Sequence, residues 1–376
     1  MTFMQNVLPR GAKPVALVMQ GGGALGAYEW GAVTRLCDEG YYPVAVAGVS
    51  IGAVNAAAIA GARGGDVIGS LSRLWERLTN PYLLDAMPWF APFGHPNMYW
   101  PNYWPNPSLT AYCGVAPLRS TLEEICDFDR INDIKDEHRM GFAVTAAEVA
   151  TGALKRFLNK GPNWKEKPDR ITADHVLASG ALPPGFPMAM VNGKAHWDGG
   201  LFDNTPVRPM VDLLEGDQLD HVPIVQINLF PDGGQETPLP THMGEVLARK
   251  MELTFMNRFW DDYATTEYDG LTGLCKYAQM IRNLDNEIPK DAKLRNSNQF
   301  KTLLRRRCLG NLHVIRSDRA SMTAGLDFSR RGIYERRDKG YAAVKAYRLG
   351  EQVVKRRQED PTLSTARSVP IRTAAE

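Results

Sequence analysis

Residues 46–57 read VAGVSIGAVNAA, and this stretch restricts the possible folds more than any other. An apolar run beginning at Pro43 ends at Ser50, and a run of small helix-forming residues begins at Ile51. Gly48 and Gly52 stand two residues to either side of the serine. This G-x-S-x-G spacing is that of a sharp strand-to-helix turn that exposes a hydroxyl. Its glycines let strand and helix approach closely. The new helix offers unpaired N–H groups and a positive dipole end beside the serine. The same letters would also suit a glycine-rich helix start with a serine cap, so the motif needs partners before it means catalysis.

One partner lies upstream. Residues 15–19, VALVM, form an apolar run of the buried-strand kind. Gly21, Gly22 and Gly23 follow, and a helix is predicted over Ala24 to Cys37. Strand, glycine loop and helix together make a cradle for a phosphate or an oxyanion. No Lys-Ser or Lys-Thr follows the glycines, which excludes a P-loop. The second strand closes on Gly48-Val49-Ser50 and lacks the acidic residue of a dinucleotide-binding unit. Neighbouring parallel strands end on one sheet edge, so the N–H groups of Gly22, Gly23, Ala24 and Ile51 are expected to converge on one carbonyl oxygen. A tight turn with close helix packing would need the same glycines.

Composition bounds the remaining classes. The 376 residues are 44% hydrophobic and 23% charged, enough for a large globular core. No run approaches the roughly 18 apolar residues of a membrane span, and the first residues lack a signal-peptide apolar region. Five scattered cysteines, at 37, 113, 126, 275 and 308, read as reduced thiols, so a cytoplasmic location is expected. Seven scattered histidines show no zinc spacing, and neither metal nor cofactor is expected. From Lys290 onward, 21 Lys and Arg face 9 Asp and Glu, with arginine clusters at 305–307 and 356–357. That excess would suit peripheral contact with an anionic membrane; solvated helix faces are the plainer reading and the default. Nucleic acid is not expected, because no recognition module accompanies the charge.

Along the chain, helices are predicted at Val67–Leu78, Pro117–Cys126 and Thr172–Ser179, and strands at Met140–Ala147 and His221–Phe230. Asn192-Gly193 marks a hairpin. After Pro231 the pattern turns helical, except for a strand at Leu312–Arg316 and a closing helix carrying Ala343, Tyr347 and Val354. Residues 81–112 stand apart, rich in Pro and aromatics. Trp89, Phe90, Phe93, Trp100 and Trp104 there are candidates for the rim of an acyl pocket; an aromatic plug between subdomains is the alternative. The base for Ser50 is left open by order alone. His221, His242 and His313 fit a triad order, whereas Asp198 sits in a glycine-fixed turn.

Three ordered blocks resemble the patatin-like phospholipases: GGGALGAYEWGAV at 21–33, GVSIGAVNA at 48–56, and ASGALPPGFPMAMVNGKAHWDGGLFDNTPV at 178–207. The resemblance implies an α/β fold, a doubly wound three-layer α/β/α sandwich over 12–235. A mostly helical C-terminal extension over 236–358 and a tail from 359 to 376 complete the chain. It also implies a Ser–Asp dyad of Ser50 and Asp198, the oxyanion hole of Gly22, Gly23, Ala24 and Ile51, and motif glycines Gly21, Gly26, Gly48, Gly52, Gly199 and Gly200. The implied substrate is an acyl lipid or ester. One departure is Leu25, where many members carry a basic residue. An acyltransferase built on the same acyl-serine, or a non-catalytic lipid-binding scaffold, would be the other classes.

Overall fold

A computed structural model describes residues 11–81, 95–102, 109–136, 139–162, 167–230, 238–256, 270–318 and 322–359. Of the aromatic segment, Trp89, Phe90, Phe93 and Trp104 lie outside these residues. Trp100 lies within them, half exposed on a short ribbon, β3 (Trp100–Pro101) with β4 (Cys113–Gly114).

The centre is one mixed sheet. Its parallel part runs β10 (Leu312–Arg316), β9 (Ile224–Asn228), β1 (Lys13–Met19), β2 (Tyr41–Gly48) and β5 (Gly141–Glu148). Three antiparallel strands complete it: β6 (Leu154–Leu158), β7 (Ala189–Val191) and β8 (Lys194–Asp198). The β7–β8 connection is the expected Asn192-Gly193 turn, with both residues at positive φ, 51° and 77°.

Side chains alternate between two cores. Val15, Leu17 and Met19 face one, and Ala16 and Val18 the other. The first core is covered by α1 (Ala27–Asp38), α2 (Ile51–Ala60), α3 (Val67–Leu78), α4 (Ala116–Ile125) and α6 (Ala173–Ser179), with α5 (Phe128–Asn132) at its margin. The second is covered by α7 (Val207–Leu213), α8 (Gln218–His221) and α10 (Gly270–Glu287). Helices on both faces of one sheet give the three-layer sandwich.

The register determines where the site forms. β2 pairs with one edge of β5 as far as Gly48 opposite Val144. β6 pairs with β5 over residues 143–147. β8 also pairs with β5, Ala146 opposite Asp198 and Glu148 opposite His196. A strand has only two hydrogen-bonding edges, so β8 must occupy the edge that β2 vacates. β2 rises and β8 descends in the same lane, and their C-terminal ends meet. Ser50, two residues past Gly48, and Asp198, opposite Ala146, come to the same level.

The C-terminal region is mostly helical and shares the sheet. Besides β10 it contributes α9 (Met243–Phe255), α11 (Asn298–Arg305), α12 (Arg330–Tyr347) and α13 (Leu349–Glu359). The single closing helix expected from the sequence is two helices, because Arg348 adopts φ 54° in the left-handed region and ends the first. His221, expected to open a strand, ends α8 instead; Pro223 cannot continue that helix, and β9 starts at Ile224. In the arginine cluster at 305–307, Arg305 and Arg307 are engaged by internal partners. Arg305 is buried and donates to the Val211, Asp212 and Leu214 carbonyls that end α7, and Arg307 grips both oxygens of Asp220 at 2.9 and 3.0 Å. These guanidiniums cap backbone and neutralise an acid, so their charge is spent inside the protein. The side chains of Arg356 and Arg357 lie outside the described ones.

α12 lies against α1 at two glycines. A Cβ on Gly31 would run into the Arg337 carbonyl, and one on Gly340 into the Tyr28 carbonyl. Trp30 meets Tyr334 edge-on with centroids 5.7 Å apart, and the Arg337 guanidinium covers both rings. Gly340→Ala is therefore expected to force the helices apart and destabilise the fold by about 2 kcal/mol. The midpoint of urea unfolding, compared with wild type, measures that loss.

Candidate active site

Ser50 directly precedes α2, with Val49 between it and the end of β2 at Gly48, and it is held at φ 54°, ψ −124°. A non-glycine residue at positive φ is strained and persists only where its surroundings over-determine it. The surroundings do so. The Ser50 N–H donates to both the carbonyl and the Oγ of buried Ser179, each at 3.1 Å. A Cβ on Gly48 would collide with the Gly52 carbonyl, and one on Gly52 with Met19, so these positions admit only glycine. β1, the elbow and α2 are thereby locked together.

Asp198 ends β8 and starts the turn Gly199–Leu201. Its Oδ1 accepts the Gly200 N–H at 2.7 Å, and the Ser50 side chain lies near enough to its carboxyl to favour the charged form. Full burial raises its pKa from 3.8 to about 7, with the Gly200 hydrogen bond and the Ser50 side chain opposing the rise. Gly199 sits where a Cβ would touch Thr145 Oγ1 at 2.6 Å.

The glycine loop lies beside this pair. A Cβ on Gly21 would stand 2.9 Å from the Ser50 Cβ. Gly23 takes φ 59°, opening a tight 3-10 turn, Gly23–Gly26, where a regular helix was expected from Ala24. Gly26 packs under Ile51. Among the described residues, no acceptor is found for the N–H groups of Gly22, Gly23, Ala24 and Ile51. Leu25 is buried and packs against the core.

Sequence reasoning missed the side chains that fix this loop. Asn204 is the hub: its Oδ1 accepts the Gly21 N–H and its Nδ2 donates to the Gly21 carbonyl, both at 3.2 Å, and to the Phe255 carbonyl at 2.8 Å. Gln20 accepts the Leu229 and Phe230 N–H groups at 2.6 and 2.9 Å and donates to Thr205. Behind them, buried Glu29 accepts the Gln20 N–H at 2.7 Å and the Asn55 amide at 2.8 Å, and Trp75 donates to Asn55. Burial pushes Glu29 well above the ordinary carboxylate range. Only the position of Asn204, six residues after Asp198 in the third block, offered a signal.

Four described histidines have other partners. His175 is buried and caps its own helix through Thr172; desolvation lowers its pKa to about 4. His196 packs on Phe157, His242 caps α9, and His313 contacts Tyr347. None is among the groups that perturb Asp198. Among the described residues no three His, Cys, Asp or Glu form a group that could hold a metal.

The family model for patatin-like phospholipases matches residues 17–211, more than half of the chain. The chain belongs to the patatin-like phospholipase family. Membership brings the general activity of a lipid acyl hydrolase. The solved structures similar to this patatin-like chain are distant. VipD of Legionella pneumophila is 14% identical at a TM-score of 0.39, with 90% of this chain and 67% of that one covered. ExoU in its heterodimeric complex with SpcU, from the type III secretion system of Pseudomonas aeruginosa, is 16% identical at 0.32, with 96% and 74% covered. No curated protein matches.

Two expectations follow. The folded pKa of Asp198 lies above its ordinary value, so its protonated form favours the fold. The contribution is complete below 3.8 and is lost as pH rises through about 7. Wild-type stability should fall across that window, and Asp198→Asn should flatten the fall; urea unfolding at a series of pH values reads it. Asn204→Ala frees Gly21 and should cut turnover by up to about a hundredfold with a smaller change in KM, because misplacing a positioned group by about 1 Å costs that much.

Proposed function

We propose that the protein cleaves carboxylic esters of acyl lipids through Ser50 and Asp198. One observation carries the proposal: a half-buried serine held in a strained turn stands beside a buried aspartate whose charged form it favours. Burying a carboxylate and straining an elbow both oppose folding. A protein that only binds lipid has no use for either.

Asp198 accepts the Ser50 proton as Oγ attacks the ester carbonyl. An ordinary aspartate is a weak base, whereas a pKa of about 7 is matched to proton transfer near neutrality. The carbonyl oxygen gathers negative charge and meets the N–H groups of the glycine loop and of Ile51. The alcohol leaves with the proton that Asp198 took. A water then gives a proton to Asp198 as its oxygen attacks the acyl-Ser50; the Oγ–acyl bond breaks, Asp198 returns that proton to Ser50 Oγ, and the fatty acid departs. Asp198 must be ionised to begin, so turnover should rise with pH through about 7.

The test is fluorophosphonate labelling with peptide mapping, beside fatty-acid release from mixed lipid esters. Ser50→Ala should lose both, and Asp198→Asn should lose release while staying folded. Gly23→Ala drives a methyl at the Gly325 carbonyl and displaces the cradle. Losing one cradle donor costs on the order of 10²–10³ in kcat. Release by the Ser50→Ala protein at the wild-type rate would sink the proposal.

A further inference from the structure

Apolar side chains that the Ser50–Asp198 chemistry does not use stand exposed on segments bordering the site. On α9, Met243 is 70% exposed, Val246 47% and Leu253 42%. Spaced three, four and three, they and exposed Lys250 fall within roughly a quarter of the helix circumference. Leu239, just before the helix, is 86% exposed. No acidic residue lies in that sector.

The opposite side of α9 is tied to the site. Phe255 is buried against Phe230, with ring centroids 6.1 Å apart, and its carbonyl is the one that Asn204 holds. α9 packs against the Gly199–Leu201 turn and against the segment Met322–Leu326. That segment presses the Gly325 carbonyl onto Gly23. Each neighbour carries its own exposed apolar residue, Phe202 directly after the turn and Leu326 at the end of the segment, 53% and 84% exposed.

We infer that this face of α9, with Phe202 and Leu326, seats the protein on a phospholipid bilayer. The inference rests on the lipid-ester reading of Ser50 and Asp198. A freely soluble ester needs no apolar border around the site, whereas a substrate held in a bilayer must be met at the lipid surface. The single cation in the stripe suits that occupant, because a lysine can lay its stem on apolar surface and extend its ammonium to anionic headgroups. Among the described residues no helix is long and apolar enough to cross a membrane, so the contact is a seat on the surface.

The experiment is co-sedimentation with mixed vesicles of phosphatidylcholine and phosphatidylglycerol. Ser50→Ala protein is compared with and without the triple change Met243→Ser, Val246→Ser and Leu253→Ser. The three side chains are exposed, and circular dichroism checks that the fold is kept. The triple variant should lose about tenfold or more of its vesicle partition. In the Ser50 background it should keep wild-type hydrolysis of a short soluble ester and lose release from vesicles. Unchanged partition would overturn the inference. So would unchanged partition together with a shift from dimer to monomer in gel filtration, which would assign the face to a second copy. Partition that depends on the three residues, in a protein whose Ser50 is neither labelled nor needed for release, would uphold the surface and remove the proposed activity.

Discussion

Two strands share one lane of the sheet, and the site exists because of it. β2 and β8 both use the same edge of β5 and run towards each other until Gly48 and Asp198 are separated by the height of two residues. The elbow turns the chain away at Ser50, and the Gly199–Leu201 turn takes it away at Asp198. A hydroxyl and a carboxyl therefore meet at the gap without a third residue to bridge them. Among the described residues the histidines on the surrounding elements are occupied with caps, rings and carbonyls.

The gap is rigid because polar groups behind it are paired and apolar groups around it leave no room. Gln20 spans from the first strand to the residues after β9, Asn204 joins the glycine loop to the end of α9, and Glu29 and Asn55 tie α1 to α2. Each is buried, and an unpaired polar atom there would cost more than its hydrogen bond contributes. The loop is also covered from outside by Gly325, at a position where Gly23 has no side chain to give way. Under the proposed mechanism, a loop held this way would keep its N–H groups in place as charge develops on the substrate oxygen.

The C-terminal region belongs to the same machinery. It supplies the edge strand β10, the helix α12 that lies on α1, the segment over the glycine loop and the helix that Asn204 holds. Its charge excess is partly internal: Arg305 and Arg307 satisfy carbonyls and Asp220, and Arg336 holds Asp327 at 2.8 Å. Net charge along a sequence therefore overstates charge on a surface. What the region offers outward near the site is apolar, a stripe on α9.

The sequence by itself determined the elbow, the glycine loop, the Asp198 turn, the Asn192-Gly193 hairpin and most helices and strands. Each of these depends on neighbours a few residues apart: a steric demand at Gly48, a positive φ at Gly193, a helix period in Val67–Leu78. Residue order also placed the glycine loop and Ser50 on one sheet edge, since adjacent parallel strands end together. It could not bring Asp198 to the level of Ser50, nor find Gln20, Glu29 or Asn204, nor see that Arg305 points inward. Most of those outcomes rest on contacts far apart in the chain, such as Arg305 with Val211, 94 residues away, and Gln20 with Leu229, 209 residues away. Only strand register and burial decide them. A one-residue slip of β8 along β5 would leave every local signal intact and turn Asp198 to the other face of the sheet.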